Sequence, residues 1–331
     1  MTPAKPWRGR VAGTTAKIPA PSGVWVPAQG RDDEDSIETG EDTCRALISH
    51  GMVGTIGKQQ GIRMRKLLPA VVFGAVIAAH PAFAARCGGD FNSFVAGMSA
   101  DARAAGISEN VIGTAFAGVT DDAAVLNFDR RQRYTFKKTF EQYVSTRVGA
   151  VRINGGRAML ARHAALLSRI EAQFGVPRQI LVAIWGLETD FGKGDMGKLP
   201  VIRTLTTLAH DCRRSELFQG ELLAALKIVQ RGDLPLRDLI GAYAGEIGQT
   251  QFLPSSYIKY GVDFDGDGRV DLRHSVPDVL ASTANLLHTN GFKMGAPYEE
   301  GSANFEAMRE WNHATIYRQT IAYFADQLVG R

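Results

Sequence analysis

Cysteine is scarce in this sequence, with 3 residues in a chain of 331, and aromatic residues make up only 8%. No long basic run is interleaved with aromatic residues, so we expect no nucleic-acid partner. The net charge of +4 is a mild excess that fits an anionic partner without identifying one. What remains is ordinary globular composition, 45% hydrophobic and 22% charged, which is enough to bury a sizeable core.

A long hydrophobic run is also missing. The apolar run at residues 67–79 is too short to span a bilayer, which takes about 20 residues in a helix. It follows a basic start at residues 64–66 and precedes a small-residue pattern at residues 82–84, an order typical of a secretory signal peptide. We therefore predict a signal peptide at residues 64–84, cleavage after Ala84, a periplasmic location and no stable membrane anchor.

Residues 1–63 contain scattered proline and glycine, an acidic cluster at residues 32–35 and no sustained amphipathic pattern. This composition predicts a disordered extension. Because signal peptides begin proteins, we also predict that translation starts at Met64 and that the extension comes from a misplaced start codon.

Cleavage after Ala84 leaves two cysteines, Cys87 and Cys212, in an oxidising compartment. Such a compartment favours a disulfide between them. Two separate thiols remain the alternative, because a sequence does not give the distance between two alpha carbons.

Short helical patterns recur after residue 90, and no strand-like alternation persists. Residues 156–174 predict one helix, which Gly175 and Pro177 end. The sequence therefore predicts a mainly α fold.

A carboxylate stands inside an apolar helical run at residues 183–192. Leu181, Ile184 and Glu188 are spaced i, i+3 and i+7, so on a helix all three face the interior. Burial raises the pKa of an acid, and a proton retained near neutral pH is what a general acid needs. Glu188 is thus a candidate general acid, and a paired or capping carboxylate is the alternative.

A second unusual stretch, at residues 244–257, combines glycine with neutral polar residues. Gly245 and Gly248 permit close backbone approach, and Gln251 and Ser255 offer hydrogen bonds that suit hydroxyls and amides. A glycine-rich turn followed by a helix cap is the alternative.

Residues 263–271 match the first three quarters of an EF-hand calcium loop. The candidate ligands in the loop are Asp263, Asp265, Asp267, Arg269 and Asp271. His274 stands where the motif uses a glutamate, so Asp278 is the nearest candidate for the missing ligand. A surface turn without metal is the alternative.

Residues 186–192, 244–257 and 263–271 together resemble motifs of the membrane-bound lytic murein transglycosylase B family, glycoside hydrolase family 103. The likeness spans about residues 88–331, with the motifs in the family's order. It implies a lysozyme-like fold of the goose-type or soluble lytic transglycosylase kind, with additional helical segments and an EF-hand-like loop. The implied activity is cleavage between N-acetylmuramic acid and N-acetylglucosamine in peptidoglycan, ending in a 1,6-anhydro sugar.

The resemblance makes residues 85–331 the catalytic domain, with a core at about 150–295. It implies that Glu188 is the single catalytic acid, that the aspartate loop holds structural calcium and that catalysis needs no cofactor. Five residues match substrate-binding positions: Gln251 and Tyr257 for sugar, Arg213 and Arg214 near the peptide stem, and Tyr317 as a cleft tyrosine. Glu246 departs from the pattern, because a small residue is expected there, and it either tunes substrate binding or is tolerated.

Two other functions remain open at this point. A lysozyme-type hydrolase uses two carboxylates. Asp190 would point about 200° away from Glu188 on a continuous helix, which leaves Glu246 as the second carboxylate. The other alternative is a non-catalytic, calcium-stabilised wall-binding protein in which Glu188 is a structural acid. The expected partner in each case is the glycan strand of peptidoglycan.

Overall fold

The computed structural model describes residues 87–131 and 139–331. The predicted extension at residues 1–63 and the predicted signal peptide at residues 64–84 lie outside the described residues. Within them the chain forms thirteen α-helices and one two-stranded antiparallel sheet, which confirms the mainly α prediction. None of these helices is both long and apolar enough to cross a membrane.

Seven helices precede the short sheet. They are α1 (Phe91–Ala104), α2 (Glu109–Phe116), α3 (Ala123–Arg131), α4 (Phe140–Arg147), α5 (Ala150–Arg162), α6 (Ala164–Phe174) and α7 (Arg178–Thr189). Strand β1 (Leu199–Pro200) pairs with β2 (Ile240–Gly241). The other helices are α8 (Val201–His210), α9 (Ser215–Arg231), α10 (Pro254–Tyr260), α11 (Val276–Thr289), α12 (Ala303–Ala307) and α13 (Thr315–Val329).

Local sequence signals set several helix ends. Ser108 caps α2 by accepting a hydrogen bond from the backbone N–H of Val111. Gly175 ends α6 in the left-handed conformation, with φ 65°, as the sequence predicts. The predicted helix over residues 156–174 is wrong, because His163 leaves the helical conformation and separates α5 from α6.

Helix α7 is surrounded by other helices, and every residue from Ile180 to Thr189 is buried, which confirms the predicted interior stripe. It packs against α5, α6, α11 and α13. Gly186 allows the close approach of α13, because a Cβ there would lie 2.7 Å from the Phe191 ring and 2.9 Å from the Phe324 ring. This packing fixes the C-terminal end of α7, where Glu188 lies.

Cys87 and Cys212 form a disulfide, as predicted, with their alpha carbons 5.0 Å apart. The backbone N–H of Gly88 donates to the carbonyl of His210 at 2.8 Å. The His210 ring also meets Phe91 of α1 edge to face. Together these contacts attach α1 to the end of α8.

Candidate active site

A cleft of about 670 Å³ opens beside the C-terminal end of α7. Besides residues 187–190, its lining comes from Phe128 of α3, the junction of α4 and α5, the loop at residues 194–199 and residues 241–243. The rings of Phe128 and Tyr243 lie 4.5 Å apart between centroids. Aromatic faces beside charged groups suit a glycan, whose pyranose rings have one apolar side.

Glu188 lines this cleft with only 3% of its surface exposed. Two side chains donate hydrogen bonds to its carboxyl group, and both donate to the same oxygen. Oε1 accepts from the Tyr317 hydroxyl at 2.7 Å and from Trp311 Nε1 at 3.1 Å. Oε2 has no hydrogen-bond partner among the described residues. The carboxyl group is therefore held by one oxygen, and the other keeps its hydrogen-bonding capacity unused within the described residues.

Burial raises the pKa of Glu188 to about 7. The hydrogen bonds from Tyr317 and Trp311 and the positive charge of Arg147 act in the opposite direction and lower this pKa. Burial and the nearby Glu188 carboxylate raise the pKa of the Tyr317 hydroxyl well above its ordinary value, so this hydroxyl stays a donor. Near neutral pH, Glu188 retains a proton in a large fraction of molecules, as a general acid requires.

The structure corrects the predicted direction of Asp190. Helix α7 ends at Thr189, and Asp190 adopts the left-handed conformation with φ 49°, so the geometry of a continuous helix does not apply. Asp190 lines the same cleft as Glu188. Its carboxylate accepts a hydrogen bond from Arg152 Nε at 2.7 Å, so Asp190 is an ion-paired acid.

Glu246 is fully buried and is not part of the cleft lining. Its Oε2 accepts a hydrogen bond from the backbone N–H of Ala244 at 3.0 Å, and its carbonyl accepts from the N–H of Ala242 at 2.9 Å. These bonds close the turn at residues 242–246. The position does not fit a second catalytic carboxylate, because the side chain is engaged inside the turn.

The glycine-rich stretch packs on α7. Gln249 Oε1 accepts from Trp185 Nε1 at 2.9 Å, and the Gln249 carbonyl accepts from the Thr189 hydroxyl at 2.5 Å. Gln251 is fully buried with φ 55°, and its amide donates to the carbonyl of Gly248 at 2.6 Å. Gln251 does not line the cleft, and its predicted contact with sugar stays a prediction.

Tyr257 and Ser255, predicted to bind substrate, also lie outside the cleft lining. Tyr257 is fully buried, and its hydroxyl donates to the carbonyl of Val270 at 2.5 Å. The backbone N–H and the hydroxyl of Ser255 both donate to Glu221 of α9, at 2.9 and 2.6 Å. Both side chains join α10 to its neighbours, because their polar groups are used inside the protein.

Arg213 and Arg214 both pair with Asp129 of α3, a residue with 2% exposure. The guanidinium of Arg214 also lies over the Phe218 ring, 4.9 Å from its centroid. Neither arginine lines the cleft, whereas Phe128, next to Asp129, does. The arginine pair therefore joins α3 to the start of α9, and the predicted contact with a peptide stem stays a prediction.

Three carboxylates meet at the calcium-like loop. Asp263, Asp265 and Asp278 each offer an oxygen that lies within 4.8 Å of the other two. Asp278 is fully buried in the first turn of α11, and burial raises its pKa. A cluster of oxygen donors with one buried carboxylate fits a hard divalent cation, which would offset their mutual repulsion.

The other predicted ligands of this loop lie outside the cluster. Like the clustered carboxylates, they have protein partners. The carboxylate of Asp267 accepts from the Arg269 guanidinium at 3.0 Å, and that of Asp271 pairs with the His274 ring at 3.0 Å. The structure thus brings Asp278 into the cluster, as the sequence predicts, but leaves Asp267 and Asp271 outside it.

The family model described as Transglycosylase SLT domain matches residues 90–301, more than half of the chain. This chain belongs to that family. The matched part of the transglycosylase SLT domain contains Glu188 and ends before Trp311 and Tyr317.

Membrane-bound lytic murein transglycosylase B of Escherichia coli strain K12 is 42% identical over 131 residues, which are 39% of this chain and 36% of that relative. The chain thus aligns with little more than a third of the relative's length. The crystal structure of SltB3 from Pseudomonas aeruginosa in complex with NAG-anhNAM-pentapeptide is 33% identical with a TM-score of 0.69, over 73% of this chain and 80% of that one.

The Escherichia coli lytic transglycosylase Slt35, solved in complex with calcium, is 24% identical with a TM-score of 0.62, over 74% of this chain and 96% of that one. At this identity the likeness shows the fold alone. Together with SltB3 it confirms the predicted lysozyme-like, soluble lytic transglycosylase-like fold.

Sequence reasoning missed two residues of the site, Trp311 and Phe128. Trp311 is 123 positions from Glu188, and no local pattern joins them. Trp311 is fully buried, and a buried tryptophan usually has a hydrogen-bond acceptor for its N–H. This rule predicts that a polar residue lies next to Trp311, but it does not say which one. Phe128 stands beside Asp129, and the arginine pair that places it became visible only in the fold.

Proposed function

We propose that the protein is a lytic murein transglycosylase. It cleaves the β-1,4 bond between N-acetylmuramic acid and N-acetylglucosamine in peptidoglycan without water and leaves a 1,6-anhydro end. The observation that carries this proposal is the buried Glu188 carboxyl in the cleft, with its donors on Oε1 alone and its pKa raised. Membership of the transglycosylase SLT family and the likeness to SltB3, solved with NAG-anhNAM-pentapeptide, support the same activity.

Glu188 acts first as an acid. The proton resides on Oε2, because Oε1 already accepts two hydrogen bonds. It passes to the glycosidic oxygen as the bond from C1 to that oxygen breaks, and N-acetylglucosamine leaves with a free 4-hydroxyl. The acetamido oxygen of the muramoyl residue stabilises the positive charge that develops at C1.

Glu188 then acts as a base. Its Oε2 takes the proton of the muramoyl 6-hydroxyl while O6 attacks C1, which closes the anhydro ring and restores the acid. The hydrogen bonds from Tyr317 and Trp311 stabilise the carboxylate between the two steps. Because the muramoyl O6 rather than water attacks C1, the reaction consumes no water. Glu188 makes both proton transfers, so the proposed reaction needs no catalytic cofactor.

The alternative functions are less well supported by the geometry. Glu246 is engaged in a turn and the charge of Asp190 is neutralised by Arg152, so neither is well placed to activate water for hydrolysis. In a wall-binding protein, the buried Oε2 of Glu188, which has no partner, would lower the free energy of unfolding without serving any function.

The decisive experiment is mass spectrometry of soluble products from purified peptidoglycan, with the wild-type protein beside Glu188→Gln. We expect the wild type to release muropeptides lighter by one water molecule than hydrolytic products, and the variant to release none. Thermal unfolding of the variant is the control for folding. Products of full mass with reducing ends would show that the protein is a hydrolase and would refute the proposal. No products from the wild type would favour the wall-binding function.

We also propose that Asp263, Asp265 and Asp278 hold structural calcium. The contacts of the loop support an effect on stability: the N–H of Gln249 donates to the Leu272 carbonyl at 2.8 Å, and its side-chain amide donates to the Arg273 carbonyl at 2.9 Å. A bound cation would thus stabilise the segment that packs on α7, well outside the cleft.

Differential scanning calorimetry with calcium and with a chelator tests this site. We expect the chelator to lower the melting temperature of the wild type and to leave that of Asp278→Asn unchanged. A matched control is Asp326→Asn, which removes a carboxylate bonded to Tyr298 far along the chain and should keep the calcium response. The same melting curve with and without chelator would contradict the proposal.

We propose a periplasmic location for the mature protein, residues 85–331. The disulfide supports it, because such bonds persist in oxidising compartments. N-terminal sequencing of the protein from its native compartment should give Ala85 as the first residue, whereas an N-terminus at Met1 or Met64 would contradict the predicted cleavage.

A further inference from the structure

Arg147 and Lys198 take no part in the proposed proton transfers, although both line the cleft with Glu188. Within residues 87–131 and 139–331, neither forms a salt bridge with a carboxylate. Lys198 is exposed, in the loop that follows α7, and Arg147 is half-buried at the end of α4. Two cations that face a cleft without an acidic partner are suited to bind an anion.

The other charged residues of the lining do not neutralise Arg147 and Lys198. Arg152 and Asp190 neutralise each other at 2.7 Å. Burial raises the pKa of Glu188 to about 7, so about half of the molecules carry a neutral Glu188 at neutral pH. Asp195 accepts a hydrogen bond from the backbone N–H of Gly197 at 3.0 Å. Outside the Arg152–Asp190 pair, the lining carries two cations, the carboxylate of Asp195 and the partly protonated Glu188, so positive charge remains in excess.

Arg147 is held close to the reacting group. Its guanidinium lies 5.4 Å from the centroid of the Tyr143 ring, and its carbonyl accepts a hydrogen bond from Arg152 Nη1 at 2.5 Å. Its positive charge acts on both Glu188 and Tyr317. A guanidinium fork binds a carboxylate through two parallel hydrogen bonds, which a placed arginine can do without much further loss of freedom.

We propose that Arg147, assisted by Lys198, binds a carboxylate borne by the lactyl group on C3 of the muramoyl residue. This rests on the proposed function and names the substrate feature that the cleft recognises. C3 and C1 belong to the same sugar ring, so a cation near Glu188 can reach the lactyl substituent while the bond at C1 lies at Oε2. N-acetylglucosamine has no such substituent, so the two cations select the muramoyl residue for cleavage.

Two sources can provide this carboxylate: the lactyl group itself in peptide-free strands, or the stem peptide attached to it. Binding is therefore measured with three glycans. They are peptide-bearing strands, strands freed of peptide by an amidase, and the latter strands with their carboxylates converted to neutral amides. All proteins carry Glu188→Gln, so that affinity is measured without turnover.

We expect the parent variant to bind neutral strands about tenfold more weakly than charged peptide-free strands. The added Arg147→Gln should remove that difference, and Arg147→Lys should restore part of it because the charge returns without the fork. Lys198→Gln should reduce the difference by about threefold or less, because the side chain is exposed and its interaction is screened.

Two matched controls lie outside the cleft lining. Arg162→Gln removes an exposed charge at the end of α5, and Lys193→Gln removes one from the same loop as Lys198. Both should leave the affinities unchanged. If Arg147→Gln fails to fold, Lys198→Gln and the salt dependence of the parent variant still test the proposal.

An equal ratio of affinities for charged and neutral strands in the parent and in Arg147→Gln would overturn the proposal. Tighter binding of peptide-bearing strands that is lost in Arg147→Gln would assign the carboxylate to the stem peptide, and tighter binding of peptide-free strands to the lactyl group. If the wild type releases anhydro products but Arg147→Gln leaves the ratio of affinities unchanged, the subsite alone is refuted. If Arg147→Gln removes the difference in affinity but the wild type releases no products, the transglycosylase activity alone is refuted.

Discussion

Glu188 at the end of α7 and Glu221 in α9 are both buried glutamates, with 3% and 4% of their surfaces exposed. Burial raises the pKa of each. They differ in how their oxygens are used. Glu221 accepts from the hydroxyl of Ser255 on Oε1 and from its N–H on Oε2, whereas Glu188 accepts both of its bonds on Oε1.

A raised pKa alone therefore does not distinguish a catalytic acid from a structural one. Glu221 uses both oxygens to hold the first turn of α10 and lies outside the cleft lining, so its proton has no substrate to reach. Glu188 keeps one oxygen unbonded and lies in the cleft. An oxygen without a hydrogen bond, on a residue that lines the cleft, is the feature that separates the two residues.

The largest effect should come from exchanging each glutamate for glutamine. Glu188→Gln should lower turnover by about 10²–10⁴-fold, because general acid–base catalysis is lost. Glu221→Gln should keep the turnover of each folded molecule and lower only the free energy of unfolding. Release of anhydro muropeptides and denaturant unfolding measure the two quantities, and comparable turnover losses in both variants would break the distinction.

The stability of the wild type should depend on pH through Glu188. Its folded pKa of about 7 exceeds the ordinary 4.5, so the folded state keeps a proton that the unfolded state releases. The contribution of this proton to the free energy of unfolding is therefore complete below about pH 4.5. It falls as pH rises and levels off above about pH 7, a total loss of about 3 kcal/mol. Relative to Glu188→Gln, which does not titrate, urea unfolding of the wild type at several pH values should show this loss. A difference that is constant with pH would mean that the folded pKa is ordinary.

Removal of one donor from Oε1 should have a smaller effect. Tyr317→Phe should lower kcat/KM by about tenfold, because the carboxyl loses one of its two anchors. Its hydrogen bond lowers the pKa of Glu188, so the alkaline limb of the pH–rate profile should also move to higher pH. Tyr323→Phe, on the outer side of the same helix, is the control and should change neither quantity. An unshifted limb in Tyr317→Phe would mean that the bond does not act on the proton.

The smallest effect should come from the partner of Glu221. Ser255→Ala removes a hydroxyl that donates at 2.6 Å and should lower the free energy of unfolding by about 1 kcal/mol, with turnover unchanged. Ser256→Ala is the matched control, since Glu221 takes its bonds from Ser255. Equilibrium unfolding in urea measures both variants, and a loss of turnover in Ser255→Ala would instead support the predicted contact with substrate.

Local spacing was sufficient to predict the burial of Glu188, because an amphipathic stripe depends only on residues within two turns. The same rule failed for Asp190, two positions further on. There α7 ends and the left-handed cap changes the direction of the side chain. Periodicity describes a helix but does not fix the residue at which it stops.

Contacts between distant parts of the chain were harder to predict. Arg213 and Arg214 pair with Asp129, which lies 85 positions before Arg214. A sequence does not show which carboxylate an arginine will pair with. Tyr257 matches the predicted sugar-binding position of the family motif, yet its hydroxyl donates a hydrogen bond to the carbonyl of Val270. The disulfide was predictable because only two cysteines follow the signal peptide, so few pairings had to be considered.

The two donors that hold Glu188 come from residues 123 and 129 positions later, near the end of the chain. Ribosomes make proteins from the N-terminus, so the cleft residues of α7 exist well before Trp311 and Tyr317 do. The acid remains unanchored until α13 has been made and has packed on α7. A chain truncated before Trp311 lacks both donors to Oε1, so we expect it to leave glycan strands uncut.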